Sequence, residues 1–165
     1  MRNFLFLIFA TLILFSCGTK NQTKTIYIVR HAEKQLEGSD PDLLQVGQIR
    51  ATKLAQILED KEIKHVYSTD YLRTKNTARP TAEAAGVKVE IYDPRNQDEL
   101  VEKLKALEGN ALVVGHSNTV NKLANYFVGE GEQYPDLNDI EYDYIFVVTL
   151  EASGEKVERK LYKDF

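Results

Sequence analysis

From Thr25 onward the chain alternates two hydrophobic patterns. Thr25-Ile26-Tyr27-Ile28-Val29 is β-branched and aromatic with no charge until Arg30, which predicts a strand buried on both faces. Gln45 to Asp60 carries Ile49, Leu54, Ile57 and Leu58 at helical spacing. His65-Val66-Tyr67-Ser68 reads as a second strand, and Tyr71 to Ala85 as a helix that stops at Gly86. Val87 to Tyr92 alternates as a third strand, and Asp98 to Leu107 puts Leu100, Leu104 and Leu107 on one helical face. Ala111 to Gly115 is a wholly apolar fourth strand, and Val120 to Val128 another helix. Tyr144–Leu150 and Lys156–Tyr162 flank Ala152-Ser153-Gly154-Glu155, the signature of a closing β-hairpin.

This order predicts an α/β fold: a three-layer α/β/α arrangement with a mainly parallel central sheet, plus a C-terminal β-hairpin. The longest polar connections, Gln35–Leu44 and Glu130–Glu141, are candidates to line a site. The acidic stretch Asp136–Asp143 reads as a solvated loop, His65 as structural and the nine tyrosines mostly as packing.

Composition narrows the function. The 165 residues suit one domain, and the net charge of −4 gives no general attraction to nucleic acid. One cysteine excludes intrachain disulfides and Cys-rich zinc sites. That cysteine has its own context. Met1-Arg2-Asn3 precedes an apolar run from Phe4 to Phe15, shorter than the roughly 20 residues of a membrane span but suited to the core of a signal peptide. Leu14-Phe15-Ser16-Cys17-Gly18 then resembles the bacterial lipoprotein signal, in which the cysteine is lipidated and becomes the mature N-terminus. The expected organisation is therefore a signal peptide at 1–16, a lipidated tether at 17–24 and a folded domain at 25–165. Cys17 would anchor that domain to a membrane of the bacterial envelope, outside the cytoplasm.

In an open α/β sheet, ligands bind at the carboxyl ends of the strands. The first strand runs into Arg30-His31-Ala32-Glu33-Lys34, the fourth into Gly115-His116-Ser117-Asn118, and the second into Ser68 through Thr74. Arg73 falls in the first turn of a helix, where a cation is unfavourable unless something anionic sits beside it. Two histidines and two arginines are thus expected to converge on one crevice. Arginine forks match phosphate oxygens, helix N-termini add N–H donors, and a histidine between them can act as nucleophile or acid–base group.

These same segments resemble the histidine phosphatase superfamily, the phosphoglycerate-mutase-like fold. The marks are the Arg30-His31 pair after the first strand, Arg73 through Thr77-Ala78 at a helix start, and Gly115-His116-Ser117 after a later strand. The chain is similar to the short members that have no large cap insertion. The resemblance implies that His31 attacks phosphorus and becomes a phosphohistidine, while Arg30, Arg73 and His116 hold the phosphoryl oxygens. It implies no metal and no cofactor, with a small phosphorylated substrate as partner. His31 must be neutral to attack and His116 acts best protonated, so their pKa values are expected to be pushed apart. The general acid departs from the family pattern. Glu33 and Asp93 are the candidates, although Glu33 could equally pair with Lys34, Arg30 or Arg50.

Other phosphatase chemistries lack their motifs: there is no Cys-x5-Arg, no Asp-x-Asp-x-Thr and no phosphate-binding Gly-x4-Gly-Lys-Ser/Thr loop. The expected function is hydrolysis of phosphomonoesters. The alternative is a catalytically weak or inactive lipid-anchored module that binds a phosphorylated ligand.

Overall fold

The computed structural model describes residues 23–165. The candidate signal at 1–16, and Cys17 with the tether as far as Gln22, lie outside the described residues. Six strands form one sheet: β1 (Lys24–Arg30), β2 (Ile63–Ser68), β3 (Val89–Ile91), β4 (Asn110–Gly115), β5 (Tyr144–Glu151) and β6 (Gly154–Leu161). Their spatial order is β3-β2-β4-β1-β5-β6. The pairs β3/β2, β2/β4 and β4/β1 are parallel, whereas β1/β5 and β5/β6 are antiparallel. Four helices connect them: α1 (Gln45–Ile57), α2 (Leu72–Ala85), α3 (Gln97–Ala106) and α4 (Val120–Asn125). The expected three-layer α/β/α fold with a C-terminal hairpin is the observed one.

The alternation of side chains along β1 explains the layering. Ile26 and Ile28 face one core, shared with Leu100 and Leu104 of α3 and Leu123 of α4. Tyr27 and Val29 face the other, shared with Leu54 of α1 and Ala78 and Ala82 of α2. Both faces are covered, so the strand can be apolar throughout. Leu112, fully buried in the second core, makes a fair gauge of this packing. Truncating it to alanine is expected to destabilise the fold by about 2–5 kcal/mol.

Several boundaries differ from the sequence reading. Lys24, assigned to the tether, is the first residue of β1, and its ammonium donates to the Leu107 carbonyl. Ile49 was expected on the buried stripe of α1 but is 63% exposed. The buried stripe is Gly47, Ala51, Leu54 and Ile57, because Gly47 turns inward against the backbone of Glu33. The third strand shrinks to Val89–Ile91 at the sheet edge, and the last helix ends at Asn125 in a series of turns. The hairpin turns tighter than expected, with β6 starting at Gly154, opposite Glu151. α2 does stop at Gly86, which adopts a left-handed φ of 67° and closes the helix through its N–H.

Candidate active site

β1 and β4 are parallel neighbours, with Arg30 in register with Gly115. The residues after them therefore emerge side by side at the carboxyl edge. The His31 N–H donates to the Gly115 carbonyl at 2.9 Å, extending the ladder one step beyond β1. The His31 and His116 rings then lie edge to face, 5.5 Å between centroids. Gly115 must be small at this point, since a Cβ would sit 2.8 Å from the Tyr92 hydroxyl and 3.0 Å from Thr119 Oγ1.

His31 is 4% exposed, and its Nδ1 lies 2.8 Å from the Ala32 carbonyl oxygen. A carbonyl can only accept, so Nδ1 carries the proton and Nε2 keeps the lone pair. Burial is the main reason that the His31 pKa falls to about 3; the nearby Arg30, His116 and Arg73 lower it further, against a raising effect of the Ala32 bond. The same causes, burial first and then Arg73 and Arg30, bring His116 down to about 4. The expected separation of the two values is thus absent in the unliganded protein, because both rings share one dry, cationic environment. His116 Nε2 is 2.9 Å from Thr69 Oγ1, which in turn is 2.9 Å from Thr74 Oγ1.

Both arginines reach the same crevice. Arg30, 6% exposed, donates through Nη1 to the carbonyls of Asn138, Asp139 and Glu141, at 2.8, 3.2 and 3.4 Å, and its guanidinium lies 4.1 Å from the Tyr142 ring centroid. Tyr142 in turn is 6.2 Å from the His31 ring. Arg73 stacks on Tyr71 at 4.3 Å, and Tyr71 meets His116 edge-on at 5.1 Å. The anion expected beside Arg73 is Asp40, whose carboxylate accepts the Leu72 N–H at 3.1 Å and lies 3.5 Å from Arg73 Nη1. Arg30 and Arg73 each also keep a buried Nε–H with no partner among the described residues. Two unpaired donors at one crevice are unfavourable until an acceptor arrives, and a phosphoryl group offers several oxygens.

Thr77 ties the pieces together. Its hydroxyl donates to the Arg73 carbonyl at 2.7 Å and accepts the Ala32 N–H at 2.9 Å, so the first turn of α2 and the residue after His31 share one atom. On the far side, Gly47 of α1 lies against the Glu33 carbonyl so closely that a Cβ would stand only 2.2 Å from that oxygen.

The two acid candidates are both occupied. Glu33 receives Arg50 through Nε at 3.0 Å and Nη2 at 2.7 Å. Burial alone would raise its pKa, but the hydrogen bonds and charge of Arg50 hold it below the ordinary carboxylate value. Asp93 pairs with Arg95 at 2.9 Å in a more exposed position, and that hydrogen bond lowers its pKa too. Sequence reading passed over Asp40, Tyr142, Thr69 and the carbonyls of 138–141. Asp40 and Tyr142 lie within or beside the two loops that it picked out to line a site.

Residues 26–95 match the profile described as "Histidine phosphatase superfamily (branch 1)". A curated relative, "Probable phosphoglycerate mutase GpmB" of Yersinia enterocolitica, is 38% identical over 77 residues, 42% of this chain and 35% of the relative. The Escherichia coli protein of the same name (O1:K1 / APEC) is 30% identical over 125 residues, 69% of this chain and 58% of the relative. The chain thus spans between about a third and three fifths of the length of these relatives. Among solved structures, the protein histidine phosphatase SixA complexed with tungstate superposes with a TM-score of 0.70 at 19% identity, covering 85% of this chain and 98% of that one. Residues 26–95 are thus similar to the histidine phosphatase superfamily, and the described part of the chain shares the fold of the SixA structure.

Proposed function

We propose that this protein is a metal-independent phosphatase that hydrolyses phosphomonoesters through a phosphohistidine on His31. The observation that carries this reading is a buried, neutral His31 whose Nε2 lone pair is unengaged, beside two arginines that each keep an unpaired buried Nε–H. Nε2 attacks phosphorus while the bond from phosphorus to the leaving oxygen breaks. Arg30, Arg73 and His116 hold the three phosphoryl oxygens, and positioning with charge stabilisation is most of what a protein contributes to this transfer. Water then attacks the phosphohistidine, orthophosphate departs and the imidazole is restored. With Glu33 and Asp93 both paired to arginines, the leaving group departs as its own anion or takes a proton from water, which favours esters of acidic alcohols.

The direct test is hydrolysis of an aryl phosphate in the presence of a chelator by wild type and His31→Ala. Chelator-resistant turnover that disappears in the variant supports the reading, and substantial residual turnover removes the nucleophile. A second reading, a lipid-anchored module that binds a phosphorylated ligand with little turnover, is favoured by the pairing of both carboxylates. It predicts orthophosphate binding without accumulation of product.

The anchor is likewise a proposal, resting on the Leu14-Phe15-Ser16-Cys17-Gly18 segment. Cys17→Ser is expected to move the protein out of the membrane fraction or leave its signal uncleaved. Unchanged lipidation and fractionation would refute it.

A further inference from the structure

We infer that the site selects phosphomonoesters whose leaving group carries an ammonium, and discriminates against those that carry a second anion such as a carboxylate. This deepens the phosphatase reading and rests on it. The floor of the crevice is cationic, but its mouth is not. The loop 35–44 is fastened to one side by Asp40, on the Leu72 N–H and Arg73. The loop 136–143 is fastened to the other side by the Leu137 N–H on the Ser117 carbonyl and by the carbonyls that receive Arg30. Together these loops hold seven carboxylates (Glu37, Asp40, Asp42, Asp136, Asp139, Glu141 and Asp143) and no lysine or arginine.

Among the described residues, Asp40 is the one member of this set with an ion-pair partner, and that partner is Arg73 itself. Asp42, Asp136 and Glu141 accept only from neutral groups: Asn76 and the Leu43 N–H, Asn121, and the Asn138 N–H respectively. Glu37 and Asp139 are exposed, whereas Asp143 lies beside Tyr162 and acts on Arg50, so it adds least to the collar. Lys34, at the base of the first loop, turns its ammonium to the Gln35 carbonyl. The other strand ends add no net charge to offset the collar, because Asp70 is matched by Lys75 and Asp93 by Arg95.

A phosphoryl group held by Arg30, Arg73 and the histidines leaves the rest of the substrate among these carboxylates. At roughly 8 Å in water-like surroundings, one carboxylate changes the affinity for a unit charge by about twofold, and more where protein replaces water. Several acting together are expected to separate a cationic from an anionic leaving group by about tenfold or more at low salt. Phosphoglycerates, which carry a carboxylate, then fall on the disfavoured side.

The experiment measures binding, with kcat/KM alongside, for orthophosphate, phosphorylethanolamine, glycerol 3-phosphate and 3-phosphoglycerate on the full-length protein. Relative to glycerol 3-phosphate, phosphorylethanolamine should bind about threefold tighter and 3-phosphoglycerate about threefold weaker. Both ratios should shrink towards one at high salt and in the double variant Glu37→Gln, Asp139→Asn. Equal or tighter binding of 3-phosphoglycerate would overturn the inference, as would ratios that the double variant leaves unchanged. Orthophosphate that fails to bind would instead overturn the phosphoryl-site reading, and the selection with it.

Discussion

The ends of β1 and β4 lie side by side and each delivers a histidine, yet they are built differently. His31 bonds a carbonyl, a group that can only accept, and is almost wholly buried. His116 faces the Thr69 hydroxyl, a group that can either donate or accept, and is partly open. One ring is locked in a single tautomer, whereas the other can exchange a proton without losing its partner. The pair is therefore separated by the kind of hydrogen bond each ring makes, and hardly by acidity.

The strongest test of this contrast is to remove each ring in turn. His31→Ala should abolish aryl phosphate turnover, by about 10³-fold or more, with the circular dichroism spectrum unchanged. His116→Ala should leave a measurable rate, lower by about 10²-fold, since in the proposed mechanism it assists without bonding to phosphorus. Equal losses would mean that the two ends are not specialised.

The support behind His31 can be broken next. Gly47→Ala forces a methyl into the Glu33 carbonyl, which is backbone and cannot swing aside. Destabilisation of about 2–3 kcal/mol is expected from chemical denaturation, with a lower kcat in the fraction still folded. Unaltered stability would mean that α1 does not brace this segment.

Glu33→Gln uncouples Arg50, leaving a half-buried guanidinium without its bidentate partner. After discounting for solvent screening, about 1–2 kcal/mol of stability should be lost. Asp93→Asn should leave the melting temperature where it is, because that pair stands in solvent. If instead Asp93→Asn lowers kcat for alkyl but not aryl esters, Asp93 supplies the proton to poor leaving groups.

The smallest effect is on pH dependence. Both histidines titrate lower folded than unfolded, so the unfolded chain binds more protons from about pH 6.5 down to about pH 3. Stability should fall as the pH drops through that window. The slope should flatten when both rings are replaced, or when orthophosphate is present to stabilise the imidazolium forms. A slope that neither change affects would place the titrating groups elsewhere.

The strand ends were legible in the sequence because both signals are local: an apolar run and the polar residues directly after it. Arg30, His31, Arg73 and His116 needed only the rule that parallel strands deliver such residues to one edge. Asp40 was not legible, since its contact with Arg73 crosses a whole strand–helix unit and nothing near it in the chain announces it. The carbonyls that hold Arg30 could not be read at all, because every residue has one. For Glu33 the sequence left three partners open, and only packing selected Arg50. Ile49 shows the same limit: helical spacing defines a stripe, but Gly47 decided which way it turned.

The position of β1 has a consequence for how the protein is made. Ile26 pairs with Ala111 on one side and with Val148 on the other, so the strand that leads into His31 is synthesised long before either neighbour exists. During synthesis this apolar segment has nothing to pair with until β4 is complete at Gly115, and its other edge stays open until β5 follows. Folding is then limited by closure of long loops, and the unsatisfied strand is the segment most in need of a chaperone.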